Sequence, residues 1–416
     1  MSIEPPRLAA YRLRLFFLSC LLSFTGGHMV NYSVIIYAQE VLGSDVLSGV
    51  GFALCFGPPL VLGWYAGVLC DRMAPGKIFH AAQWLLLAAA STLALGHWLA
   101  DGPASRTAFV LGAALLAGVG WSFVAPARMT ALAQIVKPQR LPRAALVLNL
   151  LVMIGFGLGP LGISVLRTAG GWPLVFATAA ALFVVSSLLL LPVPTMASHK
   201  PHRPVRQEVA EGLRAVRASP LLSQLLLAAM FGYMMMGPMQ VMLPRFARQV
   251  LALSELHRGA FLGALAPALM AGGVLAMLVA RRVANGRAIL TATLAAGVCF
   301  GAIGLTHSPF AATTLLAAAG MAGGMAISLI VTGIQGQVQV SVRGRVLAMY
   351  TIISQVVPAL SGLVAGALVY GLGAAHAIVA AGAAIAVLAL VNMRWMGALR
   401  GYQGVAAAQS PHEPVS

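Results

Sequence analysis

Apolar positions along this chain gather into runs of about 20 residues, each closed by charges, Pro or Gly. That length crosses a bilayer core of about 30 Å as a helix. Twelve such runs can be marked, with approximate cores at 14–38, 47–70, 78–99, 107–127, 144–166, 172–193, 221–244, 259–280, 288–305, 310–335, 346–370 and 375–397. They are rich in Leu, Ala, Gly and Met and lack the ten-residue alternation of an outer-membrane barrel, so the pattern predicts helices throughout. Most connections are short. The exception, PVPTMASHKPHRPVRQEVAEGLRAVRASP from Pro192 to Pro220, is Pro-rich, then basic and amphipathic, and divides the spans six and six. The expected organisation is a first bundle at 1–193, a linker at 194–219, a second bundle at 220–398 and a tail at 399–416.

Composition agrees. The 416 residues are 60% hydrophobic and 8% charged, against about a quarter charged in soluble domains, and mean hydropathy is +0.91. Most of such a surface must face lipid. The net charge of +17, from 26 basic and 9 acidic residues, would suggest nucleic acid in a soluble protein. Here it marks loops. With the N-terminus inside, only Arg106, Arg167, Arg245, Arg248 and Arg258 fall outside, and the remaining 21 of 26 fall inside. The basic-loop rule therefore puts both termini and the long linker in the cytoplasm. The N-terminus shows no small-residue cleavage signature, so the first span is expected to be retained. Cys20, Cys55, Cys70 and Cys299 lie in or beside apolar runs without metal-ligand or CxxC spacing. They read as small core residues. No metal or cofactor is expected.

The two halves echo each other. DRMAPGK aligns with RRVANGR at an offset of 210, placing Arg72 on Arg282, Ala74 on Ala284, Gly76 on Gly286 and Lys77 on Arg287, with Asp71 over Arg281. Each stretch joins the second and third spans of its half. RLPRAALVLNLL (Arg140 to Leu151) likewise answers VRGRVLAMYTII (Val342 to Ile353), with Arg143 over Arg345. Parallel six-span repeats with a substrate path between them are a transporter architecture.

These residues carry a resemblance to the major facilitator superfamily. GVLCDRMAPGK resembles its signature between spans two and three, roughly G-x-L-a-D-R-x-G-R-[KR]: Gly67, Leu69, Asp71, Arg72 and Lys77 match, with Ala74 where the family has glycine. The resemblance implies that Asp71 and Arg72 latch the halves together in the outward-open state. FVAPARMTALAQIVKPQRLPRAALVLN (Phe123 to Asn149), LPRFARQVL (Leu243 to Leu251) and RGRVLAMYTIISQVVPALSGLVAGAL resemble runs of the branch that includes the enterobactin exporter and related drug exporters. GFGLGPLG (Gly155 to Gly162) resembles the antiporter run G-x-x-x-G-P-x-x-G-G through Gly155, Gly159 and Pro160, with Ile163 and Ser164 in place of the closing glycines. Small residues at this spacing also serve plain helix packing. The drug-antiporter arginine of span four is Ala114 here.

Proton-coupled exporters usually carry a titratable group within the membrane. None of the nine acids (Glu4, Glu40, Asp45, Asp71, Asp101, Glu208, Glu211, Glu255, Glu413) lies mid-span. His28, midway along span one, is the candidate proton carrier. The competing reading is a structural histidine hydrogen-bonded to a neighbouring helix. Asn31 and Tyr32 follow one turn on and can share its face. Further cavity candidates are Asn149, Tyr233, Gln240, Gln335, Gln355 and Arg128. Neutral amides and aromatics suit a polar, weakly charged, oxygen-rich solute. Arg128 either meets an anionic group of that solute or snorkels to headgroups. The methionines of MFGYMMMGPMQ (Met230 to Gln240) are adaptable contacts or core filler.

No GxxxxGK[ST] loop and no HExxH cluster is present, which leaves little for ATP-driven transport or an enzyme. The reading is a secondary-active, proton-coupled exporter of a small organic solute, most of all a siderophore. A multidrug exporter is the alternative, ahead of an uptake permease or a membrane sensor. A monomer in a bacterial inner membrane is expected, with lipid, a small-molecule substrate and protons as partners and no nucleic acid. Replacing Asp71 by Asn should slow cycling in a transport assay without changing which solutes are carried. Full-rate transport by Asp71→Asn would remove Asp71 from the latch.

Overall fold

The computed structural model describes residues 6–197, 205–279, 285–338 and 342–403, and these are helical apart from short connections. The helices are α1 (Pro6–Glu40), α2 (Asp45–Phe56), α3 (Pro59–Arg72), α4 (Pro75–Leu99), α5 (Pro103–Ile135) and α6 (Leu141–Leu190). The linker contributes α7 (Val205–Ala218). Then follow α8 (Pro220–Met234), α9 (Met236–Gln249), α10 (Glu255–Gly263), α11 (Leu265–Val279), α12 (Asn285–Ile303), α13 (Pro309–Gln337), α14 (Arg343–Leu372), α15 (Ala374–Trp395) and the single turn α16 (Gly397–Arg400). The echo at 280–284, with Arg281, Arg282 and Ala284, lies outside the described residues, as do 198–204 of the linker and 404–416 of the tail.

Proline explains where spans break. It cannot donate to the carbonyl four residues earlier. Pro58 separates α2 from α3, Pro238 sits just past the break at Met235 between α8 and α9, and Pro267 sits just past the break at Ala264 between α10 and α11. Serines close other ends: the Ser44, Ser219 and Ser308 hydroxyls accept from the Leu47, Leu222 and Ala311 amides at 3.1, 3.3 and 3.4 Å.

Eleven stretches among the described residues are long and apolar enough to cross a membrane, one fewer than the twelve expected from the sequence. The difference lies in Pro138–Leu190, a continuous 53 residues. At 1.5 Å per residue it measures about 80 Å, more than twice a bilayer core. It turns at Gly170 and Gly171, where Gly171 has φ +68°. An L side chain rarely adopts that conformation, and glycine lets the chain reverse there without an intervening loop. The expected spans 144–166 and 172–193 are the two arms.

The halves meet through two matching pairs of helices. α2 packs on α14, and α6 packs on α10 and α11; α1 also touches α9. Backbones come close at both seams. A Cβ on Gly49 would stand 2.8 Å from the Gly362 carbonyl, and one on Gly157 would stand 2.8 Å from the Ala266 Cβ. Inside the second half, α12 crosses α15 where Gly301 meets Gly382: a Cβ on Gly382 would lie 2.3 Å from the Gly301 Cα.

Gly382→Val is expected to lower thermal stability by about 1–3 kcal/mol through overpacking. Gly371→Ala, where a Cβ meets open space, should leave it unchanged. A melting curve of the purified protein checks both, and equal melting of the two variants would refute the crossing.

Candidate functional site

Residues 20, 24, 28, 31 and 32 of α1 follow helical spacing, so one strip of its surface carries Cys20, Phe24, His28 and Asn31–Tyr32. That strip is pressed against α6 by the two antiporter-like glycines. A Cβ at Gly155 would stand 2.6 Å from the Phe24 Cβ, and one at Gly159 would stand 2.8 Å from the His28 Cβ. The sequence motif therefore acts here as a close helix crossing. The adjoining Pro160 is buried and turns its carbonyl to the other seam, 2.9 Å from where a Gly259 Cβ would lie.

The walls around His28 are aromatic. Phe24 and Trp121 of α5 lie parallel, centroids 6.3 Å apart and planes within 2°. His28 lies 5.6 Å from Trp121 and meets Phe156 of α6 edge-on at 5.1 Å. Tyr32 packs on the same Phe156 at 6.1 Å. One turn beyond Val124, the Arg128 guanidinium lies over the Phe24 ring, 4.3 Å from its centroid. A cation over an aromatic face is attracted to the ring quadrupole.

The polar groups here are not paired with one another. His28 is 7% exposed and Asn31 is fully buried. Both His28 ring nitrogens, both Asn31 amide atoms, the Trp121 Nε1 and the Arg128 Nε lack a hydrogen-bond partner. The reading of His28 as a hydrogen-bonded structural histidine is thus not what the structure has. Each buried polar group left unsatisfied costs about 1–3 kcal/mol. Elsewhere in the bundle pairing is fuller: Ser19 is paired with Ser186 at 3.0 Å, and Gln83 donates to Ser23 at 2.7 Å while its Oε1 has no partner.

The second half contributes neutral groups. Tyr233 and Tyr350 share a hydroxyl–hydroxyl hydrogen bond of 2.6 Å. Gln240 is buried and Gln355 half-buried, and the Oε1 of each has no partner. Asn149 and Gln335 are exposed on α6 and α13. Met235 and Met239 are core residues. Of the latch candidates, Arg72 and Lys77 are exposed, a Cβ on Gly67 would meet open space, and the Asp71 side chain lies outside the described set. The Gly76 amide of the same loop donates to Thr195 at 2.9 Å.

An arrangement the sequence did not reveal lies at the end expected to face outward. Glu40 receives Arg167 at 2.7 Å, Arg258 at 2.5 Å and Arg248 at 3.8 Å. Glu255 receives Arg167 at 3.0 Å and Arg258 at 2.5 Å. Asp45 pairs with Arg245 at 3.2 Å, and that arginine also donates to the Gln39 carbonyl at 3.1 Å. The Gln39 amide in turn donates to the Val241 carbonyl at 2.8 Å. Glu40, Asp45 and Arg167 belong to the first half; Arg245, Arg248, Glu255 and Arg258 belong to the second. Four of the five arginines expected outside are therefore cross-half fasteners. Their one sequence signal was position, against the basic-loop trend and opposite three acids at span ends.

The family described as Major Facilitator Superfamily matches residues 16–362. No curated protein matches the chain. Among solved structures, a bacterial homolog to the human lysosomal transporter Spinster, in an inward-facing and unoccupied conformation, is 17% identical with a TM-score of 0.67, over 95% of this chain and 97% of that one. A POT family transporter in complex with 5-aminolevulinic acid is 12% identical with a TM-score of 0.74, over 96% and 98%. A peptide transporter POT in complex with sulfate is 14% identical with a TM-score of 0.73, over 97% and 100%. At these identities the likeness is one of fold.

Glu40→Gln removes the charge that three arginines share, which should shift the protein toward opening at this end by about tenfold or more. In a background without the native cysteines, a Ser48→Cys probe should then react correspondingly faster with a membrane-impermeant thiol reagent. Unchanged labelling would show that the seal does not depend on Glu40.

Proposed function

The chain belongs to the major facilitator superfamily, and we propose that this transporter is a secondary-active exporter of a small, oxygen-rich organic solute of the siderophore class, driven by proton exchange. In this reading the chain crosses a bacterial plasma membrane twelve times, with both termini in the cytoplasm. It works as a single copy, and its six-span halves rock about a site between them. The cross-half ion pairs at Glu40, Asp45 and Glu255 are a closed outer seal, so the site is reached from the cytoplasm. Asp71, Arg72 and Lys77 form the latch of the opposite state; exposure of Arg72 and Lys77 fits a latch that is released.

One observation carries the choice of cargo. Arg128 has no ion-pair partner among the described residues, and its guanidinium lies over the Phe24 ring, on the same strip of α1 that carries His28 and Asn31. A guanidinium within a membrane protein is costly unless an anion or water meets it. Aromatic planes at Phe24, Trp121 and Phe156 flank the same place. The set suits a solute with an acidic oxygen and a flat unsaturated body, which describes both catecholate and hydroxamate chelators. A cationic drug would meet Arg128 with no carboxylate to offset it. The branch resemblance of Phe123 to Asn149 points the same way. Tyr233, Tyr350, Gln240 and Gln355 supply neutral hydrogen bonds from the second half.

His28 serves as the proton carrier, since the nine acids leave the middle of the spans without a carboxylate. Solute and proton would compete through the shared neighbourhood of His28 and Arg128, which is how one site can exchange them.

Everted vesicles test the reading. His28→Ala and His28→Gln should abolish uptake driven by an acidic lumen while the protein still inserts. Arg128→Lys should lower it at least tenfold, because lysine cannot reproduce a stacked guanidinium. A deletion strain grown under iron limitation should secrete less siderophore. Unchanged secretion would overturn the siderophore assignment, and normal pH-driven transport by the His28 variants would overturn the proton route.

A further inference from the structure

α12 and α15 cross tightly at Gly297, Gly301 and Gly382 and then run toward the basic end of the bundle. A groove of about 550 Å³ is left there, lined by Arg287, Leu290, Thr291, Met393 and Arg400. It lies in the second half, away from His28 and Arg128, and the transport reading makes no use of it.

The groove is held rigid. The Gly286 amide donates to the Tyr402 carbonyl at 2.9 Å, and the Leu399 amide donates to the Gln224 Oε1 at 2.7 Å. These two bonds tie α16 across the start of α12 and onto α8. Gly286 is required at this seat, because a Cβ there would fall on the Leu399 carbonyl. The Arg400 guanidinium donates to the Met393 carbonyl at 3.3 Å, which keeps it at the groove. Arg287 and Arg400 are both exposed, and neither has an ion-pair partner among the described residues.

Polarity changes along the groove in one direction. Arg287, Thr291, Ala295 and Val298 are the exposed stripe of α12, a cation, a hydroxyl and then two apolar residues at helical spacing. Beside it, Leu390, Val391 and Trp395 of α15 are exposed, Trp395 at 82%. Exposed tryptophan belongs at the headgroup level of a bilayer. A free phosphate would use the arginines alone and leave the apolar track unexplained. A phospholipid uses both.

We propose that this groove is a binding site for one anionic phospholipid of the adjoining leaflet, its phosphate held by Arg287 and Arg400 and its acyl chains laid along Ala295, Val298, Leu390 and Val391. Each arginine near a membrane surface contributes a factor of roughly five toward anionic lipid, so two give a preference of about 25-fold.

Native mass spectrometry of the full-length protein tests this without measuring transport. The protein is equilibrated in micelles with dioleoylphosphatidylglycerol, dioleoylphosphatidylcholine or both, with and without glycerol 1-phosphate. Phosphatidylglycerol should be retained about 25-fold over phosphatidylcholine, and glycerol 1-phosphate should not displace it. The double variant Arg287→Gln, Arg400→Gln should bring the two lipids to within about twofold of each other. Should that protein fail to fold, Arg287→Gln alone should lose about fivefold and Arg287→Lys should lose little. Equal retention of the two lipids by the wild type would overturn the proposal. So would an undiminished preference in the glutamine variants, or displacement by glycerol 1-phosphate at equal concentration.

Discussion

Inside a bilayer, two helical bundles gain little from the hydrophobic effect by touching, because lipid tails are as apolar as their own surfaces. What joins the halves of this protein must be close packing or polar attraction. Both occur, and the polar part is concentrated at one end. Glu40 draws Arg167, Arg248 and Arg258, Glu255 draws Arg167 and Arg258, and Asp45 draws Arg245. These groups are 10–43% exposed, most of them below 20%, so solvent screens most of the pairs only in part. The rest of the interface is backbone against backbone, through Gly49 and Gly362 on one side and Gly157 and Ala266 on the other. Contacts of that kind can be broken and remade elsewhere at small cost. In the proposed reading, the charges hold this end shut.

In the proposed reading, the site divides its chemistry between the halves. A cation, an imidazole and aromatic planes come from α1, α5 and α6, while hydroxyls and amides come from α8, α9 and α14. A solute lying between them would meet charge on one wall and neutral hydrogen bonds on the other. Such a solute is oriented before anything moves. Separating the walls removes the two sets of contacts together.

Much of the fold was legible in the sequence, since span length, proline position and basic loops are local signals. The breaks beside Pro58, Pro238 and Pro267 fall within the expected spans 47–70, 221–244 and 259–280, and proline alone did not mark them, since Pro126, Pro160, Pro244 and Pro358 lie inside continuous helices. The reversal at Gly171 was legible as a boundary between 166 and 172, yet not as a loopless turn within one helix. The site was readable in residue type: His28, Asn31 and Arg128 stand out as polar groups in apolar runs. Their arrangement was not, because Trp121 and Phe156 look like ordinary span residues until α5 and α6 are laid against α1. The seal was hidden for the same reason. Glu40 and Arg258 are separated by 218 residues, and no local pattern relates them.

The unbroken path from Pro138 to Leu190 has a mechanical consequence. Its two arms are joined only by the non-helical pair Gly170 and Gly171, so the joint between them is short and free to bend. A change of angle between the arms would be taken up at Gly170–Gly171. Such breaks lie in both halves, at α2–α3 and Gly170–Gly171 in the first and at α8–α9 and α10–α11 in the second, so neither half is the stiffer one by construction.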